Sequence, residues 1–283
     1  MTKERIAYII VAVEVKRSDV FGRKVFFLNP SLIMQNVLVK RLREMEYEVY
    51  TISDYRDAKP ILSEYEDSVC FINTDDQLLP MEWYNFIKSF KDDLTLSSIL
   101  LGVISTHMKP ADKDKFNKDI ELDGGFLSTT NGIDNTLLHI QNFLIKCNAM
   151  GRRRYVRLDC TDKQDCSGVC VINNCMIDLK LADISTAGFA ATTPLSAVDR
   201  FAKGQRIGNV TINLERRTIQ SAVDVFATKK NEKDGLIVLL FTDSLGEKPK
   251  EYIREYIFKK LQNEISSFVN ESMKDTKNYS TEN

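Results

Sequence analysis

The spacing of apolar residues changes character once along this chain, near Cys147, and that change calls for two folded units of different kinds. From Lys24 to about Cys147, short apolar runs alternate with helical patterns, the order of a parallel sheet covered by helices. Candidate strands are Val25–Leu28, Val49–Ile52, Val69–Ile72, Ile99–Ile104 and Gly125–Leu127. Between the first two, Asn29 is placed to cap a helix and Pro30 to occupy its first position, with Met34, Leu38, Leu42 and Met45 on one face. Trp83, Ile87 and Phe90 make a similar stripe, and so do Ile133, Leu137, Ile140 and Leu144. Five such units describe a doubly wound, flavodoxin-like sheet.

After Cys147 the period is that of strands. Val169–Ile172, Asn173-Asn174 and Cys175–Leu179 read as a hairpin whose two-residue turn uses the tolerance of Asn for positive φ. Val210, Ile212 and Leu214 alternate with polar residues, Ile219 to Ala227 gives a further strand, and Leu236 to Phe241 is an apolar run expected to be buried on both sides. This pattern predicts a small closed barrel or sandwich. A last helix after Pro249 carries Ile253, Ile257, Leu261 and Ile265 on one stripe, which would cap the barrel or meet a partner. The expected divisions are 1–147, 148–271 and a disordered polar tail at 272–283.

Composition narrows the function. With 283 residues, 43% hydrophobic and 28% charged, the chain suits two globular domains, and 39 basic against 40 acidic residues give no global field for a nucleic-acid polymer. The N-terminal apolar run Ile6 to Val15 is broken by Glu14 and too short to span a bilayer, so the expectation is a cytoplasmic protein with reduced thiols and no membrane insertion. Cys160, Cys166, Cys170 and Cys175 crowd together, but not in C-x2-C pairs, and are expected to be small buried thiols without metal. His107 and His139 lack nucleophile or ligand patterns around them, and no enzyme is expected.

The motifs that remain are Arg152-Arg153-Arg154-Tyr155-Val156-Arg157 and Asp183-Ile184-Ser185-Thr186-Ala187-Gly188. The first holds an RxxxR spacing, the second DxSxxG. Taken singly, the arginines are a solvated linker face and DxSxxG is a turn. In this order, ahead of a Gly-Phe-Ala strand, they resemble the PilZ family of receptors for the bacterial second messenger cyclic di-GMP, over about Gly151 to Phe268.

The resemblance implies a six-stranded PilZ-type β-barrel with a C-terminal helix, binding cyclic di-GMP through Arg152, Arg153, Arg157, Asp183, Ser185 and Gly188, with no further cofactor. Arginine forks suit phosphate and the guanine O6/N7 edge, Asp183 would accept from guanine N–H groups, Ser185 would donate, and Gly188 would allow a turn that a Cβ obstructs. Arg152, just before the motif, implies a stacked ligand pair and a dimer on binding. The arginines also lie on the arm between domains, so ligand would set domain orientation for an unidentified downstream protein in motility, adhesion or virulence control.

The first half is similar to response-regulator receivers, but its strands end in Asn29-Pro30, Asn73-Thr74 and Ser128-Thr129 where a receiver carries acidic residues, the phosphoryl-accepting Asp and Lys. It reads as a pseudo-receiver, with Asp75 and Asp76 as misaligned candidate acceptors. The alternatives are a PilZ-fold scaffold that binds no nucleotide and a phosphorylation-dependent regulator.

Overall fold

The computed structural model describes residues 21–279, with side chains described for 21–268 apart from 110, 111 and 117. The run Ile6 to Val15 therefore lies outside the described residues. Five parallel strands, β1 (Val25–Leu28), β2 (Val49–Ile52), β3 (Val69–Asn73), β4 (Leu100–Ser105) and β5 (Gly125–Ser128), form one sheet in the order β2-β1-β3-β4-β5. Val25 sits between Val49 and Val69 in register, and β1 and β3 are buried along their whole length, as helices on both faces require. The order is that of the flavodoxin-like fold.

The helix after β1, α1, runs through Leu32–Met34, a π-turn at Gln35–Val39 and Lys40–Glu44. Its cap is Ser31, whose Oγ accepts from the Met34 N–H, and not Asn29. Asn29 instead takes a positive φ of 53° at the end of β1, a conformation that an Asn side chain tolerates. Met34, Leu38 and Leu42 are buried as expected, and Met45 is exposed beyond the last turn. The other helices are α2 (Tyr55–Ser63), α3 (Pro80–Lys91), α4 (Pro110–Asp119) and α5 (Ile133–Lys146). Trp83, Ile87 and Phe90 of α3 and Leu137, Ile140 and Leu144 of α5 are buried on opposite faces of the sheet.

The second half contains β6 (Leu158–Asp159), β7 (Cys166–Ile172), β8 (Cys175–Ser185), β9 (Gly188–Pro194), a short α6 (Leu195–Val198), β10 (Arg206–Leu214), β11 (Arg217–Lys230) and β12 (Asp234–Phe241). The order β8-β7-β10-β11-β12-β9 closes through a β8–β9 pairing, so β7 to β12 form a six-stranded antiparallel barrel and β6 adds to the free side of β8. Asn173 and Asn174 both have positive φ, 52° and 60°, and make the expected tight hairpin. β12 departs from expectation. Gly235, Ile237 and Leu239 face the barrel core while Leu236, Val238 and Leu240 are partly or fully exposed, because a barrel wall has only one apolar side.

The last helix, α7 (Glu247–Tyr279), is a strut between the two units. Its stripe, Ile253, Ile257, Leu261 and Ile265, is buried in an apolar cluster that runs without interruption from Phe26 and Trp83 to Ile184 and Leu239. On the barrel side Tyr252 donates to the Leu214 carbonyl, and Lys260 pairs with Asp165 and Glu215. On the sheet side Gln262 donates to the Thr51 carbonyl and accepts from its N–H, both at 2.9 Å, so one side-chain amide covers part of edge strand β2. The Arg43 guanidinium stacks on Phe258, and burial lowers its pKa to about 10. The tail expected at 272–283 falls partly in α7, which continues to Tyr279, and 280–283 lie outside the described residues.

Candidate functional site

The candidate sites lie at the carboxyl edge of the parallel sheet and on the arginine arm. In a sheet of this order the crevice between β1 and β3 is where ligands enter. Here side-chain amides seal it. Asn29 Nδ2 donates to the carbonyls of Asn73 and Asp76 at 3.2 and 3.3 Å, Asn73 Nδ2 donates to the Asn29 carbonyl at 2.8 Å, and Gln77 Nε2 donates to Asn29 Oδ1 at 2.9 Å. Asp75 is committed to the loop after β4, accepting from Ser105 Oγ at 2.6 Å and from the N–H groups of Thr106 and His107. Burial works to raise the Asp75 carboxyl, but these donors outweigh it and hold the pKa below the ordinary value. The group is a loop clasp, which disfavours the phosphoryl-acceptor reading.

The arm starts where α5 ends. Gly151 has φ +62° and Gly22 φ +85°, and a Cβ on Gly151 would lie 2.3 Å from the Gly22 nitrogen, so backbone rests directly on backbone. Arg23 ties the same place down, its N–H donating to the Ala149 carbonyl and its Nε to that of Cys147. From there Arg152, Arg153 and Arg154 are exposed, Val156 is buried, and Leu158–Asp159 pairs with β8 so that Leu158 faces Ile184 and Asp159 faces Asp183. This pairing joins the two motifs. Arg157 Nη1 lies 3.6 Å from Asp183 Oδ2, and both side chains remain about one-third to one-half exposed.

Arg153 and Arg157 line one cleft with Phe21, Glu46, Glu48 and Tyr155, and the Arg153 guanidinium stacks on the Phe21 ring at 4.2 Å. Arg152 and Arg154 have no side-chain partner among the described residues. The cleft is small, about 50 Å³, against the 300 Å³ or more of usual ligand pockets. Asp183 and Ser185 lie outside it. The Ser185 hydroxyl is buried, donating to the Gly188 carbonyl at 3.1 Å and accepting from the Ala187 N–H, so it closes the β8–β9 turn. Gly188 is needed for packing and not for a turn conformation: a Cβ there would stand 2.2 Å from the Leu239 carbonyl oxygen of β12.

The residue that sequence reasoning missed is Glu46. Its carboxylate accepts from the Val156 N–H of the arm at 3.2 Å and from Thr186 Oγ1 of the second motif at 2.7 Å, and pairs with Arg254 of α7 at 3.5 Å. It joins the α/β domain, the arm, the barrel and the strut at one point. Glu46 also follows the Met45 cap of α1 with φ +64°, in a Schellman ending where Tyr47 N–H reaches Leu42 O and Glu46 N–H reaches Arg43 O. Glycine is the usual residue there, so a carboxylate is held at the cost of local strain. The nearby Glu48 is engaged by Lys24 and by the Tyr50 hydroxyl.

Among the described residues no three His, Cys, Asp or Glu side chains converge to hold a metal, and no helix is long and apolar enough to cross a membrane. No family model and no curated protein matches the sequence. Solved structures do resemble its C-terminal portion. The PilZ domain of Escherichia coli YcgR with c-di-GMP is 14% identical over 44% of this chain and 98% of that one, with a TM-score of 0.35. The inhibitor of motility MotI from Bacillus subtilis is 19% identical over 40% and 52%, TM-score 0.34. The K. pneumonia MrkH complex with c-di-GMP is 19% identical over 41% and 53%, TM-score 0.35. The match spans about half the length of the MotI and MrkH chains. The barrel itself is defined by its six closed strands and the helix that follows them.

Proposed function

We propose that this chain is a cyclic di-GMP receptor, not an enzyme, in which ligand at the arginine arm sets the orientation of barrel and pseudo-receiver and so governs a downstream protein in motility or a related process. The observation that carries the reading is the β6–β8 pairing, which brings Arg157 to 3.6 Å from Asp183 and leaves Arg153 on the same cleft. Arg152, Arg153 and Arg157 supply cationic forks to phosphates and guanine edges, Asp183 supplies an acceptor, Ser185 closes the turn beside it through the Gly188 carbonyl, and Gly188 lets β9 pack closely on β12. Arg152 favours a stacked ligand pair and a dimer.

The small cleft, faced by Glu46 and Glu48, suits the ligand-free arrangement. A doubly anionic ligand has to open it, and opening means parting Glu46 from Val156 and Thr186. That gives the switch a physical basis: ligand favours the parted arrangement by as much as it binds that arrangement better. Titration calorimetry with cyclic di-GMP tests the reading. The parent gives a saturable heat, and Arg157→Ala loses it, since removing a charge-assisted contact costs about 2–5 kcal/mol. Absent heat in the parent refutes the proposal.

A second reading is a PilZ-fold scaffold that binds no nucleotide. The engaged Ser185 hydroxyl and the carboxylates facing the cleft favour it. It predicts no heat with either protein.

A further inference from the structure

We infer that the apolar run at 6–15, which lies outside the described residues, docks on an apolar seam that α1 and α5 share on the surface of the α/β domain. On α1, Ile33, Val37, Arg41 and Met45 follow one another at steps of four. On α5, Asp134, Leu138, Gln141 and Ile145 follow at steps of four and three, so each set occupies one flank of its helix. The two flanks meet: Arg41 pairs with Asp134, and Gln141 donates to the Met45 sulfur. Around these contacts Ile33 is 65% exposed, Leu138 54% and Ile145 69%, with Met45 at 39%. Large apolar side chains gathered on one seam are more than the scattered single ones that any surface carries.

The run reaches this seam from a fixed point. Gly22 rests on the end of α5: a Cβ there would stand 2.4 Å from the Ala149 carbonyl oxygen, and the Arg23 N–H donates to that same carbonyl. Phe21 is thereby held close to the turn that carries Ile145. From there residues 16–20 reach at most about 18 Å, and residues 6–15 span about 15 Å wound as a helix or about 33 Å extended. The seam rises about 18 Å from Ile33 to Met45 and about 10 Å from Leu138 to Ile145, so the run is near enough and long enough to lie along it. Its composition fits as well. Every residue from Ile6 to Val15 is apolar except Glu14, and docking takes that surface and the seam out of water together.

The seat bears on the arginine cleft. The run leads into Phe21, whose ring carries the Arg153 guanidinium, so holding the run on α1 and α5 fixes one wall of that cleft. A second copy of the chain is the competing occupant of the seam, and it alone depends on protein concentration.

Hydroxyl-radical labelling read by peptide mass tests this on the full chain, the chain lacking residues 2–20, and full-length Ile10→Asp. Met45, Leu138 and Ile145 are expected to label several-fold less in the parent than in either variant, at every protein concentration. Leu94, which follows α3, and Met176, on the β7–β8 hairpin, are exposed elsewhere and should label equally in all three. Phe21 should label more in Ile10→Asp than in the parent. Equal labelling of the seam in parent and variants overturns the docking, as does protection that grows with concentration in the shortened chain, which assigns the seam to a second copy. Unchanged labelling of Phe21 overturns the link to the cleft. If the shortened chain does not fold, Ile10→Asp against the parent decides the first question.

Discussion

Replacing Glu46 tests how the two domains are held together. The carboxylate receives hydrogen bonds from Thr186 and Val156 and faces the Arg254 guanidinium, whose buried Nε has no hydrogen-bond partner among the described residues. Removing one member of a buried charge pair costs about 3–5 kcal/mol. Glu46 and Arg254 keep 11% and 21% side-chain exposure, so water compensates part of the loss, and Glu46→Ala is expected near the lower bound, about 3 kcal/mol. Glu46→Gln keeps an acceptor for Thr186 but not the charge, and should cost about 1–2 kcal/mol. Glu46→Gly loses the same contacts as Ala yet relieves the left-handed backbone, recovering about 1 kcal/mol relative to Ala. The order of stability is thus parent, Gln, Gly, Ala. Urea unfolding followed by the buried Trp83, the single tryptophan, and by circular dichroism reads it. A cycle with Arg254→Ala isolates the pair. If Ala lies within about 0.5 kcal/mol of the parent, as a surface change would, the junction is not what holds the domains. The same Gln variant should bind cyclic di-GMP about 5–30-fold more tightly, the factor equivalent to 1–2 kcal/mol. Unaltered affinity would separate the junction from the ligand switch.

Gly188→Ala should lower stability by about 1–3 kcal/mol, seen as a reduced melting temperature, because the new Cβ meets the Leu239 carbonyl and backbone cannot yield as a side chain does. Acid should weaken the α/β domain through Asp75. Its folded pKa is depressed, so the stabilisation is complete above the ordinary carboxyl pKa near 3.8 and is lost as pH falls below that value through the folded one. Unfolding free energies measured between pH 3 and 6 should therefore show a shallower acid loss in Asp75→Ala than in the parent; equal slopes would contradict the clasp. Gln262→Leu leaves both Thr51 backbone groups without their partner, and faster amide exchange at Thr51 in β2 is expected, with no change in β1 or β3.

The parts of this fold that were legible are those governed by local physics. Parallel strands such as β1 and β3 are covered on both faces and stand out as uniform apolar runs, and Asn173-Asn174 announces a tight hairpin because few side chains accept positive φ. Asn29 misled for a related reason. The residue suits both a helix cap and a left-handed corner, and Ser31 two positions on takes the cap. The apolar run in β12 suggests double burial, but a barrel strand shows its alternate side chains to the outside. At the site, both motifs were legible as residue patterns, but the pairing that sets Arg157 beside Asp183 is long-range, and Gly188 is fixed by a carbonyl on β12 that no local pattern indicates. Glu46 was illegible for the same cause: its three partners lie 110, 140 and 208 positions downstream.

The strut has a consequence for synthesis on the ribosome. Gln262, which covers the open rim of β2, follows Thr51 by 211 positions, and at about 5–20 residues per second it is translated about 10–40 s later. Over that interval the nascent α/β domain carries a bare strand beside other chains emerging on the same message. Translation speed across the barrel thereby sets how long this edge can recruit the wrong neighbour.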